Sequence, residues 1–397
     1  MGSEGFTEMT RLAAARERLL SAVSSPAESE AADVATADGR ALAAPVDAER
    51  DVPGFDRAAM DGYALRAEDT YGASGRSPTV LDAVEGAVGP DEATYVHTGS
   101  PVPDGADAVV KVEQTDERDG RVEVFAAAPP GDNVAPAGED VESGDRLLPA
   151  GHRLRPSDLG LLKAGGHREV AVAPRPTVSG VPTGEELVAF DPGHGETVET
   201  NGLTVSRLVD RWGGTATYRD IVGDDLGALR AAVEGDTDHD IVVTTGGSSV
   251  GERDLIADVV GELGEVLVHG IAIKPGHPAG FGVVNDTPVV MLPGYPVSAI
   301  VAAVQLLRPA VAKAGGFEPE EFPEREATLE GKIAGEVGRR SFVRVRETSR
   351  DTVKPVRGGA GVLSSVAAAD GWVVVPESLE GVAAGETVTV QRWEPFL

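Results

Sequence analysis

The sequence predicts a multidomain α/β protein built around a central, mostly parallel, three-layer α/β domain. Three observations predict it: strand-like and helix-like segments alternate over residues 176–315, short β runs broken by Pro, Gly and Asp fill residues 46–141, and short β runs return over 316–397. We therefore predict an N-terminal helical domain formed by 1–45 and 142–175, an inserted β domain, the α/β domain and a C-terminal β domain.

The first helix is predicted over residues 7–24, where Leu12, Leu19 and Val23 recur at helical spacing. A second helix is predicted where the chain returns from the inserted β domain. Pro156–Asp158 there combines proline, serine and aspartate directly before a leucine-rich segment. Both helices belong to the N-terminal helical domain.

Hydrophobic patterns give the remaining elements. The inserted domain is predicted to contain the strands Ala108–Val112 and Val122–Phe125, and the C-terminal domain the strands Phe342–Val345, Trp372–Val375 and Thr387–Val390. The α/β domain is predicted to contain the strands Thr177–Val181, Ala216–Val222, Ile241–Val243, Val266–Val268 and Thr287–Leu292. Its helices are predicted around Val205–Trp212, Leu226–Val233, Leu255–Leu263 and Val297–Val304. Such alternation places ligands beyond the carboxyl ends of the strands.

The composition excludes several classes of site. Without cysteine there is no disulfide, thiolate nucleophile or cysteine-ligated metal, so a metal would take oxygen or imidazole ligands, as Mg²⁺ does. The net charge of −30 argues against nucleic-acid binding, since phosphate backbones require basic surface. No run approaches the roughly 18 apolar residues of a membrane span, and the N-terminus lacks the apolar region of a secretory signal. We expect a cytoplasmic protein without membrane contact.

The basic residues are unevenly divided, because only 6 of the 35 are lysine. An acid-rich, lysine-poor surface along the whole chain is typical of proteins adapted to high internal salt, where screening tolerates the self-repulsion. The alternative is an ordinary acidic protein.

The most informative segment is Thr244–Asp254, with the sequence TTGGSSVGERD. It follows an apolar strand and precedes a helix, so its backbone N–H groups and serine hydroxyls are free to bind an anion. The predicted cradle consists of Gly246, Gly247, Ser248, Ser249 and Gly251. The acids Glu252 and Asp254 would repel a bare phosphate, which implies a divalent cation or a partner with positive charge.

Five separated motifs together resemble the MoeA-type molybdopterin molybdotransferases, a family that includes the gephyrin E domain. They are AAMDGYALR (58–66), HTGSPVPDGADAVV (97–110), PTGEEL (182–187), TTGGSSVGERD (244–254), and AIKPGHPAGFG (272–282) with LPGYPVSA (292–299). The resemblance implies a central domain of the molybdopterin-binding type and insertion of molybdenum from molybdate into adenylylated molybdopterin, with release of AMP and help from Mg²⁺. It also implies a homodimer that works with a molybdopterin adenylyltransferase and with acceptor molybdoenzymes.

The resemblance identifies Asp61, in MDGYA, as a catalytic aspartate and Thr98 as a site residue. Their alternatives are an aspartate that caps its own turn and an ordinary loop hydroxyl. Glu186, near the end of the first α/β strand, is predicted to orient water or metal, or to interact with a helix dipole. Asp224 and Asp225 precede a helix; the resemblance puts one of them in the site, whereas the local pattern predicts one N-cap and one solvated neighbour.

Asp254 is the strongest metal or catalytic candidate, with N-capping of the next helix as the alternative. Lys274 is predicted to bind an oxyanion, because it is a scarce lysine in an apolar stretch beside a proline. In the mechanism that we favour, Mg²⁺ on Asp254 with Asp224 or Asp225 neutralises the diphosphate, and Asp61 and Glu186 orient molybdate and water.

Pro293, Gly294 and Pro296 are predicted to bind the cofactor at a helix N-terminus, with a rigid strand-to-helix turn as the equal alternative. In the C-terminal domain the resemblance implies a site serine, taken as Ser365, and a site arginine among a set of three. The three arginines are Arg339, Arg340 and Arg344.

Two positions depart from the resemblance. His277 stands where many members of the family have lysine, and Tyr295 where many have asparagine. The first removes a permanent charge from an oxyanion site unless the histidine is protonated or Lys274 suffices. The alternatives to a molybdotransferase are a molybdopterin adenylyltransferase, which shares a TTGG-type cradle, and a non-catalytic molybdopterin-binding scaffold.

Overall fold

The structure is a computed structural model that describes residues 9–247 and 254–394. The chain forms two compact units, of which one comprises residues 31–172 and the other residues 1–30 with 173–397. The four sequence-based domains remain a prediction.

Helix α1 (Leu12–Ala22) lies inside the first predicted helix. Leu12, Ala15 and Leu19 are buried in the hydrophobic core that also contains the residues of the later α/β segments, so the N-terminal helix belongs to the larger unit.

The smaller unit is built mainly from short strands. They are β1 (Glu30–Asp33), β2 (Val46–Asp47), β3 (Arg57–Ala58), β4 (Gly62–Leu65), β5 (Thr79–Ala83), β6 (Glu92–Val96), β7 (Ala108–Lys111), β8 (Thr115–Arg118), β9 (Arg121–Val124), β10 (Val134–Ala135), β11 (Arg146–Leu148) and β12 (Glu169–Val172), with helix α2 (Pro156–Ala164) before β12. Six of them form one sheet in the order β7-β4-β6-β5-β9-β8. Both predicted strands, which are now β7 and β9, and the predicted helix start at Pro156 are confirmed.

The larger unit contains the α/β segment. Its strands are β13 (Thr177–Pro182), β14 (Leu187–Val188), β15 (Thr197–Val198), β16 (Thr215–Tyr218), β17 (Ile241–Thr245), β18 (Glu265–His269), β19 (Ile273–Lys274), β20 (Gly280–Val284) and β21 (Thr287–Leu292). Its helices are α3 (Asn201–Trp212), α4 (Leu226–Gly235), α5 (Leu255–Leu263), α6 (Pro296–Ala302) and α7 (Arg308–Ala314), with one π-helical segment, Ala303–Leu307, between the last two.

Six of these strands form the central sheet in the order β16-β13-β17-β21-β20-β18, and only β20 runs antiparallel to its neighbours. Side chains alternate between two cores: Ile241 and Val243 pack with α3, α6 and α7, whereas Val242 packs with α4 and α5. This arrangement confirms the predicted mostly parallel sheet between two helical layers.

Two strands of the central sheet differ from the prediction. Strand β16 ends at Tyr218, although the backbone N–H groups of Arg219 and Val222 still donate to carbonyls of β13, and Val222 forms a bridge to Thr183. Strand β20 was not predicted, because its glycines have low β propensity. A Cβ on Gly282 would lie 2.3 Å from the carbonyl oxygen of Glu265, so close approach of β18 requires glycine there.

The C-terminal segment is a small β barrel. Its elements are β22 (Glu324–Leu329), β23 (Ile333–Ala334), β24 (Arg340–Ser349), β25 (Thr352–Pro355), helix α8 (Ser364–Ala367), β26 (Gly371–Val375), β27 (Gly381–Val382) and β28 (Thr387–Gln391). The sheet order is β19-β24-β25-β22-β28-β26, and β24 also pairs with β26, which closes five strands into a ring. All three predicted strands lie on these elements. Strand β19, which ends at Lys274, joins this barrel to the α/β segment.

One helical stretch, Pro296–Ala314, has the length and composition of a membrane span, with a mean hydropathy of 1.4. However, 83% of this stretch is buried inside the fold, as is typical of the core helix of a soluble protein.

Candidate functional site

Three parallel strands end side by side at the carboxyl edge of the central sheet. Pro182 of β13 pairs with Thr245 of β17, and Thr245 pairs with Leu292 of β21. The loops that follow stay together, because the Thr183 N–H donates to the Thr245 carbonyl at 3.0 Å and the Gly246 N–H donates to the Leu292 carbonyl at 3.1 Å. We call the residues gathered at this edge the strand-end site: Thr183, Gly246, Gly247, Asp254, Pro293 and Gly294.

The glycines of the strand-end site are required by geometry. Gly246 has φ of +107°, and a Cβ there would lie 2.2 Å from the carbonyl oxygen of Thr183. A Cβ on Gly294 would lie 3.5 Å from the Gly246 Cα, so the two loops lie next to each other. The predicted ligands Ser248, Ser249 and Gly251 lie outside the described residues.

Three buried threonines lie at the same edge. The side-chain oxygens of Thr183, Thr244 and Thr245 have no hydrogen-bond partner among the residues that the structure describes, although these threonines are at most 2% exposed. A buried hydroxyl without a partner costs about 1–3 kcal/mol. Thr244 and Thr245 are consecutive in β17, so their side chains lie on opposite faces of the sheet. The Thr183 hydroxyl lies beside the glycine loop, 3.0 Å from the position that a Gly247 Cβ would occupy, and can donate to a ligand or water bound there.

Asp254 has both carboxylate oxygens engaged. Oδ1 accepts from the Ala257 N–H at 3.3 Å and so caps α5, which is the local alternative that the sequence predicted. Oδ2 lies 2.8 Å from Nε2 of His269, the last residue of β18. The Asp254 side chain is 13% exposed, so its position is fixed by a helix end and an imidazole together.

Asp224 and Asp225 are exposed at the start of α4. Asp225 is the N-cap, because its Oδ1 accepts from the Ala228 N–H at 2.8 Å. They follow Val222, which bridges to Thr183, so this short acidic pair starts from the same sheet edge as the strand-end site.

Glu186 is exposed in a turn after β13, and the position that a Gly184 Cβ would occupy is 2.7 Å from its Oε2. The alternative of a helix-terminal acid is wrong, since the next helix begins only at Asn201. Asn201 instead donates its side-chain amide to the Gly294 carbonyl at 2.7 Å, which ties α3 to the strand-end site.

Lys274 lies beside the C-terminal barrel. Its Nζ donates to Oε2 of Glu336 at 3.0 Å, and Oε1 of Glu336 lies 3.2 Å from Arg339. The hydrogen bond from Lys274 holds the pKa of Glu336 below its ordinary value. We call Lys274, His277, Glu336 and Arg339 the charged cluster; it has three basic members and one acid.

His277 is neutral at neutral pH. Burial lowers its pKa, and the positive charges of Arg339 and Lys274 lower it further, whereas Glu336 acts in the opposite direction. The departure at position 277 therefore removes a permanent charge, and Lys274 and Arg339 supply the positive charge of the cluster.

The loop before α8 packs on the start of α6. The Val297 N–H donates to the Ala360 carbonyl at 3.0 Å, and Pro296 has no N–H, so the first two residues of this helix offer no N–H group to an anion. This arrangement favours the rigid-turn alternative for Pro293 to Pro296. The Gly358 carbonyl of the same loop accepts a hydrogen bond from the buried Arg344 of β24 at 2.8 Å, and burial lowers the pKa of Arg344.

Ser365 is buried and donates to the Val362 carbonyl at 2.5 Å. The position that a Gly358 Cβ would occupy is 3.1 Å from the Ser365 Cβ. Ser365 thus lies beside the segment that binds Arg344.

In the smaller unit, the structure brings Asp61 and Thr98 together. Oδ1 of Asp61 accepts from the Thr98 N–H at 2.6 Å and from its hydroxyl at 2.9 Å. The backbone hydrogen bond, then the hydroxyl, lowers the pKa of Asp61, and His97 lowers it further. The side chain of Asp61 remains 52% exposed. Its partner is 37 residues away, so these bonds do not cap its own turn.

Sequence reasoning missed Thr183, Asn201, His269 and Glu336. Thr183 follows a predicted strand directly, and that position was an available signal. No local pattern marks His269 or Glu336, whose partners are 15 and 62 residues away.

Three family models match this chain in order. They describe the MoeA N-terminal region (domain I and II) over residues 10–166, a probable molybdopterin binding domain over 180–313, and the MoeA C-terminal region (domain IV) over 326–393. The second match contains the strand-end site, and the other two cover the chain before and after it.

Curated relatives cover almost the whole chain. It is 38% identical to a putative molybdopterin biosynthesis protein of Methanocaldococcus jannaschii over 90% of each chain. It is 34% identical to molybdopterin molybdenumtransferase 2 of Mycobacterium tuberculosis, over 90% of this chain and 93% of that one. It is 32% identical to the molybdopterin molybdenumtransferase of Haemophilus influenzae, over 98% and 99%.

Among solved structures, the chain is similar to a molybdopterin biosynthesis MoeA protein from Pyrococcus horikoshii. The TM-score is 0.86 and the identity 35%, over 98% of this chain and 100% of that one.

Proposed function

This chain belongs to the MoeA family, and we propose that it is a molybdopterin molybdenumtransferase, which inserts molybdenum from molybdate into adenylylated molybdopterin and releases AMP. The observation that carries the proposal is the strand-end site, where the closely packed glycine loop and the buried Thr183 hydroxyl beside it offer hydrogen bonds to the oxygens of an anionic substrate. The family matches before and after the α/β segment favour this activity over that of a stand-alone adenylyltransferase.

The reaction cleaves the phosphoanhydride between molybdopterin and AMP: an oxygen nucleophile bonds to phosphorus, and the bond to the AMP oxygen breaks. Asp61 is ionised at neutral pH, because Thr98 holds its pKa low, and it can accept a hydrogen bond from attacking water. Lys274 and Arg339 supply positive charge for molybdate or for developing charge on oxygen. Glu186 is exposed near the strand-end site and is proposed to orient water.

The carboxylates of Asp224, Asp225 and Asp254 suit Mg²⁺ chemically, but they are not already gathered around one point. They offer the oxygens that this cation prefers, and the chain has no sulfur ligand of cysteine. In the described residues only Asp236, Asp238 and His239 bring three potential ligand atoms within 4.8 Å of one another, so Mg²⁺ at the strand-end site would be held by one or two carboxylates together with water and substrate oxygens.

Asp225 uses one oxygen as a helix cap, so its second oxygen can bind a metal. The second oxygen of Asp254 contacts Nε2 of His269, so Mg²⁺ bound there would have to share or replace this contact. Bound Mg²⁺ would neutralise charge on the diphosphate.

The direct test is AMP release by the full chain with adenylylated molybdopterin, MgCl₂ and molybdate. We expect release that requires molybdate and consumes no ATP. Consumption of ATP with molybdopterin would indicate the adenylyltransferase instead. Binding of the adenylate without any turnover would indicate the non-catalytic scaffold.

We propose that the protein works as a homodimer in the cytoplasm, between an adenylyltransferase that makes its substrate and the molybdoenzymes that accept its product. Light scattering on the eluting protein should give twice the 40.9 kDa mass of the chain. A monomer mass would contradict the dimer. Transfer of the product to an apo-molybdoenzyme should restore the activity of that enzyme.

The charge of −30 supports adaptation to high internal salt. Raising KCl from about 0.1 M to about 2 M shortens the Debye length and should raise the thermal midpoint, as repulsion between acids is screened. A midpoint that falls over this range would contradict the proposal.

A further inference from the structure

Tyr295 differs from most tyrosines of the chain in its surroundings. The hydroxyls of Tyr63 and Tyr218 donate to glutamate side chains, and Tyr95 packs edge-on against Tyr63. The two most exposed tyrosines are Tyr295 and Tyr71, at 66% and 64%. Tyr295 lies beside the strand-end site, and Tyr71 belongs to the smaller unit.

The position of Tyr295 relative to the strand-end site follows from its neighbours. It directly follows Gly294, which lies against Gly246 and accepts a hydrogen bond from Asn201. The side chain of Tyr295 is therefore attached to the backbone segment that packs against the glycine loop at Gly246. An aromatic ring here can contact a molecule whose phosphates bind that loop.

The backbone of Tyr295 is held on both sides. Its carbonyl accepts from the Ala299 N–H at 2.9 Å, Pro296 restricts the next residue, and the Val297 N–H donates to the Ala360 carbonyl. Folding therefore already orders the backbone of Tyr295, so binding a ligand loses little further conformational entropy at this residue.

One side of the ring is supported by protein. A Cβ on Gly361 would lie 3.3 Å from Cδ1 and 3.5 Å from Cε1 of Tyr295, so the backbone of Gly361 lies beside this side of the ring. Val362 and Leu363, which follow, are also exposed, at 40% and 37%. The ring is 66% exposed, so the part of it away from Gly361 faces solvent and is open to a planar ligand.

We propose that the ring of Tyr295 stacks on a planar nitrogen heterocycle of the substrate, the pterin or the adenine of adenylylated molybdopterin. Tyr295 is then a specificity-determining residue that lowers KM and takes no part in bond cleavage. This inference rests on the proposed function, because that function supplies the heterocycle. Stacking needs the ring and not the hydroxyl, which separates it from a hydrogen-bonding role.

The test measures dissociation constants of neopterin and of AMP for the full chain and three variants. Tyr295→Ala should weaken binding of at least one probe about tenfold, which corresponds to about 1.4 kcal/mol. Tyr295→Phe should stay within about twofold of the wild type. Tyr71→Ala is the matched control, with equal exposure in the other unit, and should change neither constant.

Comparing the two probes shows which heterocycle of the substrate stacks on Tyr295. Loss of neopterin binding alone identifies the pterin, and loss of AMP binding alone identifies the adenine. Unchanged binding of both probes by Tyr295→Ala, equal losses in the Phe and Ala variants, or a wild type that binds neither probe would overturn the proposal.

A turnover measurement separates this inference from the proposed function. With adenylylated molybdopterin, Tyr295→Ala should raise KM about tenfold and leave kcat within about twofold. Failure of the wild type to release AMP contradicts the proposed function, whereas the probe-binding result decides the stacking independently. A fall in kcat with unchanged KM would count against stacking.

Discussion

Asp61 in the smaller unit and Asp254 in the larger unit are both candidate catalytic carboxylates, yet they are held differently. Asp61 accepts two hydrogen bonds from Thr98, caps no helix and is 52% exposed. Asp254 caps α5, lies 2.8 Å from His269 and is 13% exposed.

The difference in hydrogen bonding and burial gives the two aspartates different roles. The bonds of Asp61 stabilise a charge in water, so its replacement should affect chemistry more than folding. Asp254 joins a helix end to the last residue of a strand, so its replacement should affect both. The variants described next test this division, from the largest expected effect to the smallest.

The largest effect is expected for Asp61→Asn. It should lower molybdate-dependent AMP release about 100-fold or more, because the ionised carboxylate is lost, while the urea midpoint stays unchanged. Single-turnover assays and urea denaturation measure the two quantities. Asp82→Asn, an exposed aspartate of the same unit, is the control and should keep wild-type activity. Wild-type turnover by Asp61→Asn would refute the role of Asp61.

Asp254 should show both effects, and two variants separate them. Asp254→Ala should lose about 1–2 kcal/mol of unfolding free energy, because it removes the cap of α5 and the contact with His269. Asp254→Asn should keep most of the stability, since asparagine caps as well as aspartate, but lose Mg²⁺ affinity with the charge. Urea denaturation and calorimetric Mg²⁺ titration measure the two. Equal stability of the alanine variant and the wild type would show that the cap contributes nothing.

Measurements on His277 and its lysine variant show whether more positive charge in the charged cluster would improve molybdate binding. Because its pKa is lowered, the histidine is neutral at pH 7 and above, and KM for molybdate should be flat between pH 7 and pH 8. His277→Lys adds a permanent charge and should lower that KM about two- to fivefold at pH 7. Steady-state assays at several pH values provide both results. An unchanged KM in the lysine variant would place molybdate away from this cluster.

The same shift predicts a small pH effect on stability. Since the folded pKa of His277 is lowered, the unfolded chain binds the proton first, and the fold loses stability as pH falls below the ordinary value of 6.5. His277→Gln removes this contribution, so its urea midpoint should fall less between pH 7 and pH 5.5 than that of the wild type. An identical decrease in both proteins would assign the effect to other groups.

Local patterns in the sequence were enough for most of the fold. Short apolar runs predicted β17 and β21, and Pro156 predicted the start of α2, because these features depend only on residues that are close together in the sequence. Local patterns failed at β20, where Gly280 and Gly282 allow the neighbouring strand β18 to pack closely. The reason for those glycines lies in another segment of the chain.

The candidate site divides in the same way. The sequence by itself determined the glycine loop at Gly246, the candidate aspartates and the family resemblance, since short contiguous motifs carry them. Only the tertiary structure decided that Thr98 holds Asp61, that His269 holds Asp254 and that Glu336 pairs with Lys274. These partners meet because sheet register and barrel closure bring distant segments together, and no periodicity along the chain encodes that distance.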